Sequence, residues 1–287
     1  TQRQRMWSSK AGASEGLLPA RQTLGPLLLM ATTPVAALLF VRTNMQYGGS
    51  LAKLWEELST DPRGTIVGAF KEPSYETLLY LAVFAAFEIA LQLWLPGKTF
   101  KGPITPAGHV PVYKANGFQA FIVTLATFLV GAYGLKWWSP TIIFDHYQEG
   151  ISALCIFSFI FCAFLYVKGL TFPSGPDSGT TGNPVMDYYW GTELYPRIGA
   201  WDVKLFTNCR FGLMLWVLAP ISFAAAEMKA NDNTLSYAMA VNVALQLVYL
   251  AKFYWWETGY LASIDIMHDR AGYYICWGCL VWVPVCG

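Results

Sequence analysis

Charge is what this chain has least of. Only 13% of its 287 residues are Asp, Glu, Lys or Arg, against roughly a quarter in an ordinary soluble domain. The 19 basic and 18 acidic side chains leave a net charge of +1. So even a balance offers no field to recruit nucleic acid, and no such partner is expected. Histidine is scarcer still: His109, His146 and His268 lie far apart, and Cys276-Trp277-Gly278-Cys279 has no second cysteine pair, so no metal site is expected. The six cysteines are scattered, with Cys155 and Cys162 inside one apolar run, which is not a secreted disulfide framework. Neither a G-x-G-x-x-G fingerprint nor a G-x-x-x-x-G-K-[ST] loop occurs, which excludes a soluble-type nucleotide site. With no N-x-S/T acceptor, glycosylation says nothing about a luminal side.

What the chain does have is apolar length. Hydrophobic residues make up 55% of it, and the mean hydropathy is +0.38. In hydrocarbon every backbone N–H and C=O must be satisfied internally, which leaves helices or closed barrels. Long apolar runs, not alternating decamers, point to helices. Six runs qualify or nearly do: Leu24–Val41, Tyr75–Leu95, Gly117–Leu135, Ile151–Leu170, Arg210–Ala226 and Tyr237–Trp255, with a seventh beginning near Ala271. The expected fold is all-α, a polytopic transmembrane bundle of six complete spans plus a truncated seventh. Residues 1–23 form a basic cytosolic tail and residues 24–287 the membrane domain. The chain begins at Thr1 and stops at Gly287 inside an apolar segment, so both ends read as incomplete. Lysine and arginine crowd the tail, the Gly97–Asn116 connection and the connection after the fourth run, which puts these in the cytosol. The long loop Arg42–Ser74 breaks that pattern, but its basic residues are offset by acids.

Polar groups facing a lipid-solvated bundle need partners, so dense clusters of them mark candidate sites. One cluster runs from Tyr188 and Trp190 through Glu193, Tyr195 and Arg197 to Asp202, Lys204, Asn208 and Arg210. The loop carrying it is too long for a plain connector, and Pro196 favours an extended or turned backbone there. An interfacial loop held by local ion pairs is the plainer alternative. A second cluster, Trp256 and Glu257, then Asp265, His268 and Asp269, follows the sixth run on the same expected side. Two polar clusters facing one side suggest one pocket. His268 beside Asp269 could be a proton donor tuned by its neighbour, although adjacent residues on a helix point apart. Glu88 and Gln92 share a face of the second run; a partner on a neighbouring helix suits Glu88 as well as function does, with partial hydration expected from its place near the cytosolic end.

The ordered motifs carry a resemblance. G-x-E-L-Y-P-R-I-G from Gly191, D-x-K-x-F-T-N-C-R-F-G from Asp202, W-W-E from Trp255 and H-D-R-A-G-Y-Y-I-C-W-G-C-L-V-W-V-P from His268 are similar to those of the integral-membrane sterol reductases. The closest branch is the plant-type sterol Δ7-reductases, or 7-dehydrocholesterol reductases. Leu95-Pro96-Gly97-Lys98, Gly102-Pro103 and Tyr113-Lys114-Ala115-Asn116-Gly117 fit the same family. The likeness runs from about Thr77 to Pro284 and is weak over the first seventy residues.

The resemblance implies a multi-pass enzyme of the endoplasmic reticulum membrane that uses NADPH to reduce a ring double bond of a sterol. It implies further helices after Pro284, which would carry most of the cofactor pocket and leave this chain's own activity doubtful. Such a reduction needs an acid to protonate one carbon, a site that tolerates the cation, and a hydride. Glu193, Tyr195, Glu257, Asp265, His268 and Asp269 are the catalytic candidates. Tyr188, Trp190, Arg197, Asp202, Lys204, Asn208, Arg210 and Trp256 are candidates for substrate binding or support. The partners implied are the sterol and membrane lipid; the oligomeric state is left open. Rival readings are a sterol Δ14-reductase and a non-catalytic sterol-binding membrane protein. A transporter would show broken helices in two repeated halves, and no internal repeat is present.

Overall fold

The computed structural model describes residues 21–102, 110, 112–157, 160, 197–198, 200–202 and 205–263. The first helix, α1 (Arg21–Tyr47), outlasts the expected first run at both ends. The stretch after it, read from the sequence as a long loop, is instead largely helical: α1 takes its first residues, and α2 (Leu51–Thr60) and α3 (Pro62–Ala69) follow. Local signals account for the correction. Ser50 accepts from the Lys53 N–H to start α2, Asp61 accepts from Gly64 N–H to start α3, and Pro62 fills the first turn, where an N–H is not needed. Arg42 then fastens α1 to both short helices, donating to the Thr65 carbonyl at 2.6 Å and pairing with Glu57 at 3.2 Å.

The second run forms α4 (Tyr75–Trp94), capped by Ser74, which accepts from Thr77 N–H. Between α4 and the next helix, β1 (Lys98–Lys101) and β2 (Val112–Ala115) pair antiparallel, Lys98 opposite Ala115. Helix α5 (Gly117–Leu129) passes into a π turn at Val130–Gly134. A short α6 (Ile142–Asp145) leads into α7 (147–157). Arg197–Ile198 (β3) and Trp201–Asp202 (β4) make a minimal second ribbon. The structure is mostly helical, in line with the all-α expectation, with β pairing confined to two short ribbons in connections. A π-helical stretch, Phe206–Phe211, runs into α8 (Gly212–Ala230), then come α9 (Tyr237–Trp255) and α10 (Glu257–Ser263). The fifth helix thus starts upstream of Arg210, which sits inside a helical turn and not at its edge.

Among the described residues three helical stretches are long and apolar enough to cross a membrane: Tyr75–Trp94, Gly117–Gly134 and Cys209–Ala230. They are the second, third and fifth expected spans. The first and sixth runs are helical throughout but fall outside that group, the fourth is described only through 157 and at 160, and the seventh lies outside the described residues. Helix α8 is the centre of the bundle. Its most apolar stretch is 67% buried, against 17% for α4. It supplies Ala219 and Phe223 to a core shared with Val41, Ile151 and Met239, and Met214 and Val217 to another shared with Ala120, Phe121 and Tyr254. Side chains on the outer face of α4, such as Tyr75 and Leu78, stay exposed, as they would against lipid.

Candidate functional site

Arg210 is the largest fully buried side chain in the described structure. An isolated buried guanidinium would be costly, so its surroundings are built to hold it. Nη1 pairs with Oε1 of Glu257, which is itself 3% exposed. Nη2 donates to Oδ1 of Asn116 at 3.2 Å. The guanidinium carbon lies 5.8 Å from the centre of the Tyr254 ring, within cation–π range. The Tyr254 hydroxyl donates to the Cys209 carbonyl at 2.5 Å.

Each partner has a second task. Asn116 donates through Nδ2 to the carbonyls of Gln92 at 3.1 Å and Leu95 at 3.2 Å, covering acceptors that the end of α4 leaves unpaired. Glu257 Oε2 accepts from Gly117 N–H at 2.8 Å, placing a carboxylate at the positive N-terminus of α5. Lys114 on β2 donates to the Leu93 carbonyl at 2.8 Å. Gly117 is a steric requirement, since a Cβ there would overlap both Arg210 Nη1 and the Glu257 carboxylate. One ion pair therefore joins the end of α4, the first ribbon, the start of α5, the π turn before α8 and the break between α9 and α10.

One turn back along α4, Glu88 corrects the expectation of partial hydration: it is fully buried, and Thr124 on α5 donates to its Oε1 at 2.5 Å. Its face turns toward α5 and the bundle interior. Its Oε2 has no partner among the described residues.

Of the residues singled out from sequence, Arg210 and Glu257 are brought into contact. Trp256 is exposed at the turn between α9 and α10, where Trp255 sets its ring edge-on to Phe118 at 5.2 Å. Arg197 and Asp202 are opposite each other in the second ribbon. The backbone at Asn208 belongs to the π-helical stretch. Tyr188, Trp190, Glu193, Tyr195, Lys204, Asp265, His268 and Asp269 lie outside the described residues. Sequence reasoning gave no role to Asn116, Gly117 or Tyr254. The signal available was the Asn-Gly pair opening an apolar run, which marks a helix start pressed against something close.

A sequence model described as "Ergosterol biosynthesis ERG4/ERG24 family" matches residues 13–286. The likeness thus extends further toward the N-terminus than the motifs indicated. A 7-dehydrocholesterol reductase of Arabidopsis thaliana is 47% identical over 262 residues, covering 90% of this chain and 60% of the relative. A 7-dehydrocholesterol reductase of Danio rerio is 32% identical over 275 residues, 91% of this chain and 57% of the relative. A Delta(14)-sterol reductase of Methylotuvimicrobium alcaliphilum is 37% identical over 206 residues, 72% of this chain and 47% of the relative. The chain spans about half to three-fifths of the length of these curated relatives. The match over nearly the whole chain, with the Arg210–Glu257 knot built from residues of its motifs, makes this chain a member of the ergosterol biosynthesis ERG4/ERG24 family of sterol reductases.

Proposed function

We propose that this chain is the larger part of a sterol Δ7-reductase, which uses NADPH to saturate a ring double bond of a sterol in the endoplasmic reticulum membrane. The observation that carries this reading is the 47% identity to a 7-dehydrocholesterol reductase across 90% of the chain. The Δ14 alternative rests on a 37% match over 72% of the chain, and the higher identity favours Δ7.

The Arg210–Glu257 pair supports a shared site. Arg210 follows the segment that holds Glu193, Tyr195 and Arg197, and Glu257 precedes the one that holds Asp265, His268 and Asp269. Fastening Arg210 to Glu257 keeps the ends of those two segments together, as a pocket drawn from both requires. In this reading Arg210 and Glu257 are positioning residues, since both engage protein groups. The acid that protonates the sterol is then sought among Glu193, Tyr195, Asp265, His268 and Asp269, with Tyr188, Trp190, Lys204 and Asn208 as supporting groups.

Neither the Arg210 knot nor the cavity between α4, α5 and α8 fits a nicotinamide dinucleotide. Arg210 is committed to Glu257 and Asn116 away from solvent, Lys114 to a helix-end carbonyl, and the described cavity is lined by Glu76 and Asp145 without a lysine or arginine. No reaction step is therefore assigned to them.

The test is a chain extended to the length of its relatives, incubated with Δ7- and Δ14-unsaturated sterols and NADPH or NADH, with products resolved by mass spectrometry. Saturation at Δ7 with NADPH is the expected result. Turnover of the Δ14 sterol alone, or of neither, overturns the assignment.

A further inference from the structure

A cavity of about 760 Å³ opens between α4, α5, the connection around α6, α7 and α8. Its polar end lies at the opposite end of α4 from the Arg210 knot: Thr77 and Gln92 are separated by about 22 Å of helix at 1.5 Å per residue. Its size falls within the roughly 300–1,000 Å³ of small-ligand sites. It follows α4 from Glu76 to Phe87, about 17 Å. Phe84, Phe87, Phe128, Trp138 and Leu218 form much of its apolar wall.

The polar end is organised around His146, also a lining residue. Glu149, ion-paired with Lys71 at 2.7 Å, accepts from the hydroxyls of Ser74 and Thr77, each at 2.6 Å. A contact that short to an ionised carboxylate needs the hydroxyl proton between the oxygens. Thr77 has one proton, and with it on Glu149 the Thr77 oxygen is assigned as acceptor from Nδ1–H of His146 across their 2.8 Å contact. That assignment places the proton of the neutral ring on Nδ1 and leaves Nε2 as an acceptor. Nε2 has no partner among the described residues. Tyr80 holds the ring edge-on at 5.1 Å.

We propose that this cavity is a second sterol site, in which a membrane sterol donates its hydroxyl to His146 Nε2 and lays its ring system along Phe84 and Phe87. The charge pattern selects the head group. Glu76 and Asp145 line the cavity and no lysine or arginine does, so a phosphate or carboxylate head meets repulsion and a neutral alcohol does not. The geometry by itself requires a neutral alcohol with a bulky apolar body; the sterol identity of that body rests on the function proposed above.

The experiment uses the full 287-residue chain in nanodiscs, with a photoreactive sterol that keeps its hydroxyl and carries a diazirine on the rings. Labelled peptides are expected within residues 76–87 and 137–154. Unlabelled sterol should compete, whereas its methyl ether, which cannot donate, and dioleoylglycerol should not. His146→Ala should weaken labelling about five-fold, the loss of one such hydrogen bond. Thr127→Trp, which puts bulk on a partly exposed wall, should weaken it at least as much and keeps the question open to test if His146→Ala does not fold. Labelling confined to other peptides, equal competition by the ether or by dioleoylglycerol, or unchanged labelling in both variants overturns the proposal. No cofactor or turnover enters this assay, so its outcome and that of the reductase assay are independent.

Discussion

The two ends of α4 solve the same problem in opposite ways. Near Gln92, Arg210 and Glu257 are sealed from solvent and spend their hydrogen bonds on Asn116 and Gly117. Near Thr77, Lys71 stays half-exposed, Glu149 is only partly accessible, and the chain of bonds ends at an imidazole nitrogen facing a cavity. Burial decides the difference. A sealed pair turns its charge on itself and on neighbouring helix ends and so fixes helices; a half-open one can pass its polarity to a ligand. Charge content alone would rank the Arg210 end as the reactive one, and the geometry makes it the more structural.

The sharpest way to break the comparison is Arg210→Ala or Glu257→Ala. Each leaves an uncompensated buried charge, costing on the order of 3–5 kcal/mol, and a large loss of monodisperse protein in detergent is expected. Arg210→Met combined with Glu257→Leu should cost less than either single change, because no charge is stranded. If the double variant is the worse one, the pair contributes more than mutual neutralisation.

Gly117→Ala comes next. Its methyl group must displace Arg210 or Glu257, for about 1–3 kcal/mol, read as a lower thermal midpoint. Thr124→Val removes the only donor described for Glu88 Oε1 and should cost about 1–3 kcal/mol; an unchanged midpoint would show that Glu88 does not depend on it.

The smallest effect lies at the open end and is one of pH. Lys71 beside Glu149, and then the hydroxyls of Ser74 and Thr77, hold its carboxyl below the usual carboxylate range. A depressed folded-state value adds stability above the ordinary glutamate pKa of about 4.3 and loses it as pH falls below that. Glu149→Gln should lower the midpoint at neutral pH and flatten the acid side of a midpoint-versus-pH curve, so that the two proteins converge at low pH. A curve with the same acid slope in both proteins would remove Glu149 from the account.

Much of the architecture was legible because it depends on local signals. Apolar runs gave the helices through Tyr75–Trp94 and Gly117–Leu129, and motif order gave the family. The short helices after Tyr47 were missed although Ser50, Asp61 and Pro62 announce them, because acidic and basic residues there read as solvated loop. Glu88 was expected to be partly hydrated because position along a span gives depth in the membrane but not the direction a face points.

The sequence by itself determined that this chain enters a membrane and belongs among sterol reductases, since apolar run length and ordered motifs are properties of neighbouring residues. Only the tertiary structure decided that Arg210 meets Asn116, 94 residues away, and that Glu257 meets Gly117, 140 away. It likewise decided that His146 meets Thr77 at the edge of a cavity. Which charges neutralise one another, and which are left for a ligand, depends on how helices distant in sequence pack, and no spacing along the chain encodes that.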